Sequence, residues 1–248
     1  MEIKLIELYC LICRLYDTNS VLNQQRLSNF KPGFTDQELV TCYFFAMFNN
    51  QRQVKQIYDY TVNHWRAWFP ALPSYQAFNH RLNNLGTSFC LIFNLLLESK
   101  LAQPNSNFSA DSLIDSFPVM LWQGRKAGKC RTAQEIADFG YCSSKDIFYH
   151  GVKLHNLAIR RFKCLPLPFE VFLSPASEHD LTAFKEQNLQ VPTPNLFADK
   201  AYCDQELKLE LQAKGVRLLT PSKKKKNEPI GFHEPLWSKF VSRFKQPI

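Results

Sequence analysis

The spacing of apolar residues along the chain changes once, near residue 105. Before that point apolar positions recur at helical intervals, and after it short apolar runs alternate with polar, turn-forming stretches. "LYCLICRLYD" predicts a first helix. "FTDQELVTCYFFAMFNN" predicts another, with Thr35 and Glu38 at the spacing of a capping box ahead of its apolar run. "VKQIYDYTVNHW" sets Val54, Ile57, Tyr58 and Val62 on one helical face, and "LPSYQAFNHRLNNLGTSFCLIFNLLLESK" gives two more helices separated near Gly86. The aromatic residues of this half are accounted for by a helical core.

From "NSNFSADSLIDSFPVMLW" onward the expected elements are strands and short helices. A first strand is centred on Leu113 to Met120, with Asp111 in the turn that leads into it, and a domain boundary falls at 100 to 108. "QGRKAGKCRTAQE" reads as a loop, and "DIFYHGVKLHNLAIRRF" and "LPFEVFLSPAS" as two strands, with Pro166 and Pro168 marking the break. Next come "EHDLTAFKEQN" as a helix, "NLFA" as a buried strand, "DQELKLELQAKG" as a helix closed by Gly215, and "VRLLTP" as a last strand. The order β-β-β-α-β-α-β predicts an α/β domain over 105–248, built on a mixed sheet flanked by helices. Its antiparallel strands come first and its parallel, helix-connected strands after. An all-helical domain occupies 1–104.

Composition narrows the class. A hydrophobic content of 45% over 248 residues is enough for ordinary cores. No apolar run approaches the roughly 20 residues of a bilayer span, and "MEIKLIELYC" lacks the features of a signal peptide, so the expectation is a soluble, cytoplasmic protein with no membrane partner. Eight scattered cysteines call for no disulfide framework. Cys10 and Cys13 form a C-x-x-C inside an apolar run and are read as core residues rather than zinc ligands. A net charge of +8 and a pI near 9.0 favour a polyanionic partner, nucleic acid first among them.

Two aspartates then stand out. Asp115 lies inside the first strand, where a carboxylate is costly to bury unless it is paired or binds a cation. Asp199 follows "NLFA", at the carboxyl end of a strand, where open α/β sheets gather functional groups. The first and fourth strands can be neighbours in this order, which would join carboxylates 84 residues apart into one patch for Mg²⁺ or Mn²⁺. Two such ions suit phosphoryl transfer on nucleic acid. Each aspartate could equally cap a helix or end a strand at the surface.

Five blocks carry a resemblance: "IDSFPV", "FYHGVKLHNLAI", "FLSPASEHD", "LFADKAYCD" and "LLTPSKKKKN". In this order they resemble the DDE transposases of bacterial insertion sequences, over most of 105–245, and "TDQELV" and "LPSYQAFNHRLNNL" resemble the helical leader of one such group. The resemblance implies an RNase H-like catalytic fold, with Asp115 and Asp199 as the first two catalytic, metal-binding carboxylates and with Lys200 and Tyr202 in the second block. It also implies two Mg²⁺ or Mn²⁺ ions in the complete site, double-stranded DNA (element ends and target) as partner, and a homo-oligomer on DNA. The third family carboxylate is a glutamate on the helix after the last strand, and the pattern places it just beyond Ile248, so the chain is expected to stop short of it. Glu228 and Glu234 are the available substitutes, Glu234 preceding an apolar face of Trp237, Phe240, Val241 and Phe244.

Lys223, Lys224, Lys225 and Lys226 suit phosphate contacts beside the site, as does Lys200. Arg160, Arg161 and Lys163, with Arg125, Lys126, Lys129 and Arg131, extend the basic face. In the helical domain Arg52, Lys55, Arg66 and Arg81 are candidate phosphate contacts for DNA-end binding, with Gln76 and Asn79 beside Arg81 on a candidate recognition helix, and oligomerisation is a comparable use for the same helices. His150, His155 and His179 are read as structural, with His179 and Asp180 at a strand-to-helix turn. The expected function is DNA transposition by metal-dependent phosphodiester cleavage and strand transfer. The alternatives are an inactive DNA-binding remnant and a nuclease of the same fold.

Overall fold

The computed structural model describes residues 1–24, 33–103, 107–124, 126–143 and 145–221. The chain forms two compact units, Met1–Gln103 and Pro104–Ile248.

The regular elements among the described residues of the first unit are all helices: α1 (Glu2–Thr18), α2 (Ser20–Gln24), α3 (Asp36–Phe48), α4 (Val54–Trp65), α5 (Tyr75–Asn84) and α6 (Gly86–Leu101). The capping box at α3 is formed, the Thr35 hydroxyl accepting the Glu38 N–H at 3.2 Å and the Glu38 carboxylate accepting the Thr35 N–H. Ile12, Leu39, Phe45, Ile57, Phe78 and Ile92 meet in the core. On α4 the buried stripe runs through Ile57, Thr61 and Trp65, with Val54, Tyr58 and Val62 packed at its flank. Arg81 donates to the Phe34 carbonyl and to the Asp36 carboxylate, which ties α5 to the start of α3. Arg66 holds the Leu72 carbonyl and Lys55 pairs with Asp59, so three of the four candidate phosphate contacts are engaged inside the unit, while Arg52 is exposed. Cys10 departs from its expected core position. The buried residues of α1 are Leu5, Ile12 and Tyr16, which leaves Cys10 exposed and Cys13 half-buried, and all eight cysteines are free thiols.

The second unit carries β1 (Phe108–Gln123), β2 (Asp138–Cys142), β3 (Ile147–Arg161), β4 (Leu167–Pro175), α7 (Asp180–Gln187), β5 (Asn195–Ala198), α8 (Gln205–Ala213) and β6 (Arg217–Leu219). Its sheet runs β2-β3-β1-β5-β6, with β4 also on β3. Strands β2 and β4 lie end to end along one edge of β3, β2 against 147–151 and β4 against 152–159. The pairs β1–β3 and β3–β4 are antiparallel, and β1–β5 and β5–β6 are parallel. A meander of antiparallel strands followed by helix-connected parallel strands on the other side of the first is the RNase H-like arrangement. Ile114, Leu157, Leu196, Ala198 and Leu218 of the sheet pack with Phe184 of α7 and Leu207 and Leu211 of α8. Each fully buried aliphatic side chain there contributes roughly 1.5–3 kcal/mol.

Two expectations change. Strand β1 starts at Phe108, so Asp111 lies within it rather than in a turn. Its carboxylate is satisfied there by Arg160 at 2.9 Å and by the Asn195 amide at 3.1 Å, partners that sequence spacing does not reveal. The stretch read as loop is followed by β2, whose five residues are too short for a periodic signal and owe their strand to pairing with β3. No helix among the described residues is long and apolar enough to cross a membrane.

Candidate active site

Asp115 stands in β1 directly opposite Asn156 of β3. On its other side, β1 and β5 pair in parallel from Asp111 with Asn195 to Ile114 with Ala198. Asp199 comes next in the chain after Ala198 and keeps an extended backbone, φ −73° and ψ 175°, while Asp115 follows Ile114, so each aspartate lies one residue past the last pair of that register. Neighbouring strands lie about 5 Å apart, and residues at one register position share a face of the sheet. The two aspartates thus follow the same end of the β1–β5 ladder, and the charges of both act on the buried Tyr202 phenol.

Both carboxylates are half-buried and oriented by backbone donors. Asp115 Oδ1 accepts the Ser116 N–H at 2.9 Å. Asp199 Oδ1 accepts the Ala201 N–H at 2.5 Å and caps the short 3-10 turn Lys200–Tyr202. The capping role and a role in the site are compatible, because the cap engages one carboxylate oxygen. Across β1, Asn156 Oδ1 is shielded from solvent and has no hydrogen-bond partner among the described residues. Two carboxylates and an amide oxygen are hard donors of the kind Mg²⁺ and Mn²⁺ prefer. No group of three or more His, Cys, Asp and Glu side chains suited to a metal is present among the described residues.

The Tyr202 side chain is buried close by. Burial pushes its phenol well above the ordinary value, and the charges of Asp180, Asp115 and Asp199 add to the rise, so it stays a neutral phenol. His155 is fully buried, with Nε2 2.8 Å from Ser174 Oγ and its ring stacked on Phe172 at 4.5 Å. Burial lowers its pKa and keeps it neutral. His150 bonds the Thr132 carbonyl, and His179 caps α7 by accepting the Leu181 N–H.

The basic residues are dispersed. Lys200 is exposed and adjoins Asp199. Arg160 pairs with Asp111 and lies 5.7 Å from the Phe162 ring, while Arg161 donates to the Leu165 carbonyl. Lys126, Lys129, Arg131 and Lys163 are exposed. Arg125, Lys223, Lys224, Lys225, Lys226, Glu228 and Glu234 lie outside the described residues.

Residues 105–236, more than half of the chain, match the family model described as "Transposase DDE domain". The chain belongs to the transposase DDE family. Asp115 and Asp199 both fall within the matched transposase domain. Among solved structures, the chain is similar to the piggyBac transposase synaptic complex with hairpin DNA, at 13% identity and a TM-score of 0.37 over 85% of this chain and 47% of that one. It is also similar to the Drosophila P element transposase strand transfer complex, at 14% identity and a TM-score of 0.35 over 80% of this chain and 42% of that one. The chain thus spans under half the length of either protein. No curated protein matches it.

Sequence reasoning named Asp115 and Asp199 but not Asn156, which neighbours Asp115 only through the β1–β3 register. It also passed over Ser116 and Lys153, whose contacts with Asp180 join β1, β3 and α7.

Proposed function

We propose that this chain acts in DNA transposition, cleaving phosphodiester bonds at the ends of a mobile element and joining the freed ends to target DNA. The observation that carries this reading is the register: the β1–β5 pairing ends at Ile114 with Ala198, and Asp115 and Asp199 are the next residues along the chain from that pair, inside a transposase DDE domain. These carboxylates, with a third from outside the described residues, would hold Mg²⁺ or Mn²⁺. Bound there, the ions supply activation of the attacking oxygen and stabilisation of the leaving oxygen.

Asp115 and Asp199 contribute negative charge at fixed positions, and their backbone hydrogen bonds keep the carboxylates oriented without reorganisation. In the cleavage step, water attacks phosphorus, the P–O3′ bond breaks, and a 3′-hydroxyl and a 5′-phosphate result. In the joining step, that 3′-hydroxyl attacks a target phosphodiester, a new P–O3′ bond forms, and the target strand is released with its own 3′-hydroxyl. Neither step needs a covalent protein intermediate. Lys200 is placed by sequence to meet a phosphate next to Asp199, and the basic run Lys223 to Lys226 together with Arg160 and Arg161 would add sequence-independent affinity for double-stranded DNA. Two ends have to be brought together, so the proposed working form is a homo-oligomer on DNA.

The test uses duplexes made from the DNA flanking the coding sequence. The chain should cut them with Mg²⁺, and Asp115→Asn and Asp199→Asn should each lower the rate by about three orders of magnitude while binding the same duplex within a few-fold. Undiminished cleavage in either variant removes that residue from the site. Binding without cleavage by the unaltered chain favours a DNA-binding remnant.

A further inference from the structure

A hydrogen-bonded chain runs from the start of α7 through the sheet to the Asp115 carboxylate. Asp180, the first residue of α7, presents its two carboxylate oxygens to two strands. Oδ1 pairs with Lys153 Nζ of β3 at 2.9 Å, and Oδ2 accepts the Ser116 hydroxyl of β1 at 2.8 Å. Lys153 also donates to the Glu178 carbonyl in the turn before α7. Ser116 in turn donates its backbone N–H to Asp115 Oδ1 at 2.9 Å. The ion pair is largely shielded, with Lys153 and Asp180 side chains 20% and 21% exposed, so these bonds are poorly replaced by water.

We infer that Asp180 is a positioning residue for the Asp115 carboxylate and acts on it through Ser116. Asp180 fixes the Ser116 side chain, the Ser116 backbone presents its N–H, and that N–H selects the rotation of the Asp115 carboxylate. Lys153 holds Asp180 in place from the neighbouring strand. The assignment rests on the proposed metal-binding role of Asp115 and Asp199, and it extends that role to residues on three elements. Groups that orient ligating carboxylates typically change metal affinity by about 10–100-fold when removed.

The experiment is a Mn²⁺ titration of the full chain, read from the paramagnetic broadening of backbone amide signals near residues 115 and 199 and paired with thermal unfolding. Ser116→Ala should weaken Mn²⁺ binding about tenfold, at the low end of that range, with an unfolding midpoint within a few degrees of the parent. Ser116→Thr, which keeps the hydroxyl, should bind within about twofold of the parent. Asp180→Asn should weaken binding at least as much as Ser116→Ala, and the double variant should be no weaker than Asp180→Asn, because both substitutions cut one link. Additive losses, or parental Mn²⁺ affinity in Ser116→Ala while Asp199→Asn abolishes binding, overturn the inference and leave the two-carboxylate site standing. Absence of Mn²⁺ binding near 115 and 199 in the unaltered chain overturns the site itself, and the inference with it.

Discussion

Gly151→Ala offers a severe test of the sheet that carries Asp115. Gly151 faces Met120 where the β1–β3 register shifts, the next pair being Trp122 with His150, so Leu121 is the extra residue of a bulge. A Cβ on Gly151 would lie 2.1 Å from the Val119 carbonyl oxygen and 3.2 Å from the Leu121 nitrogen, whereas approaches under 3.0 Å are essentially never made. Both neighbours are backbone, so no side chain can swing aside, and the strands have to part by about 1 Å. Overpacking of this kind costs about 1–3 kcal/mol, and one or two weakened ladder hydrogen bonds add about 1 kcal/mol each. The stiffer unfolded chain returns about 0.4–1 kcal/mol. The expected net loss is about 2–3 kcal/mol. Native-state hydrogen exchange of the Ile114 and Leu157 amides measures it within this unit. Gly128→Ala, where a Cβ would meet only the Phe139 ring at 3.7 Å, is the control and should change stability by less than about 0.5 kcal/mol. A similarly small change in Gly151→Ala would refute the close approach of β1 and β3.

Two further outcomes follow from side chains already placed. Thr35→Ala removes the hydroxyl that caps α3 and should destabilise the helical unit by about 1 kcal/mol in urea unfolding; an unchanged midpoint would argue against the capping box. Burial lowers the His155 pKa in the folded state, so between that value and the unfolded value near 6.5 the unfolded chain binds more protons. His155 therefore contributes stability in full above about pH 6.5, and the contribution is lost as pH falls toward the folded pKa. Urea midpoints between about pH 7.5 and 5.5 should drop more steeply in the parent than in His155→Gln, and parallel profiles would remove His155 as the cause.

The helices with clear stripes and caps were legible in the sequence because their signals are local. Thr35 and Glu38 fix the start of α3, and Gly215, with φ at +77°, closes the turn after α8. Strands were legible where apolar runs are long, as in β3, and in "NLFA", which matches β5 to the residue. Non-local partners set the limit. Asp111 extends β1 because Arg160 and Asn195 neutralise and bond it, and β2 exists because β3 offers it an edge. The two aspartates could be named from strand order, but the groups around them depend on registers spelled out in no single segment. The Ser116–Asp180 bond spans 64 positions and the pairing of Asp115 with Asn156 crosses from β1 to β3.

The parallel pairing of β1 with β5 also fixes when, during synthesis, the ladder that ends next to Asp115 can close. Strand β5 sits between β1 and β6, and its residues leave the ribosome after every other neighbour of β1 has been made. Closing so long an intervening segment is a non-local step, slow compared with forming the β1–β3 meander. The antiparallel half can thus be in place, and one edge of β1 paired with β3, while the other edge at Asp111–Ile114 waits for Asn195–Ala198. Fragments released before that point carry β1 without its parallel neighbour, and only a chain extended past Ala198 can complete the ladder that ends next to Asp115.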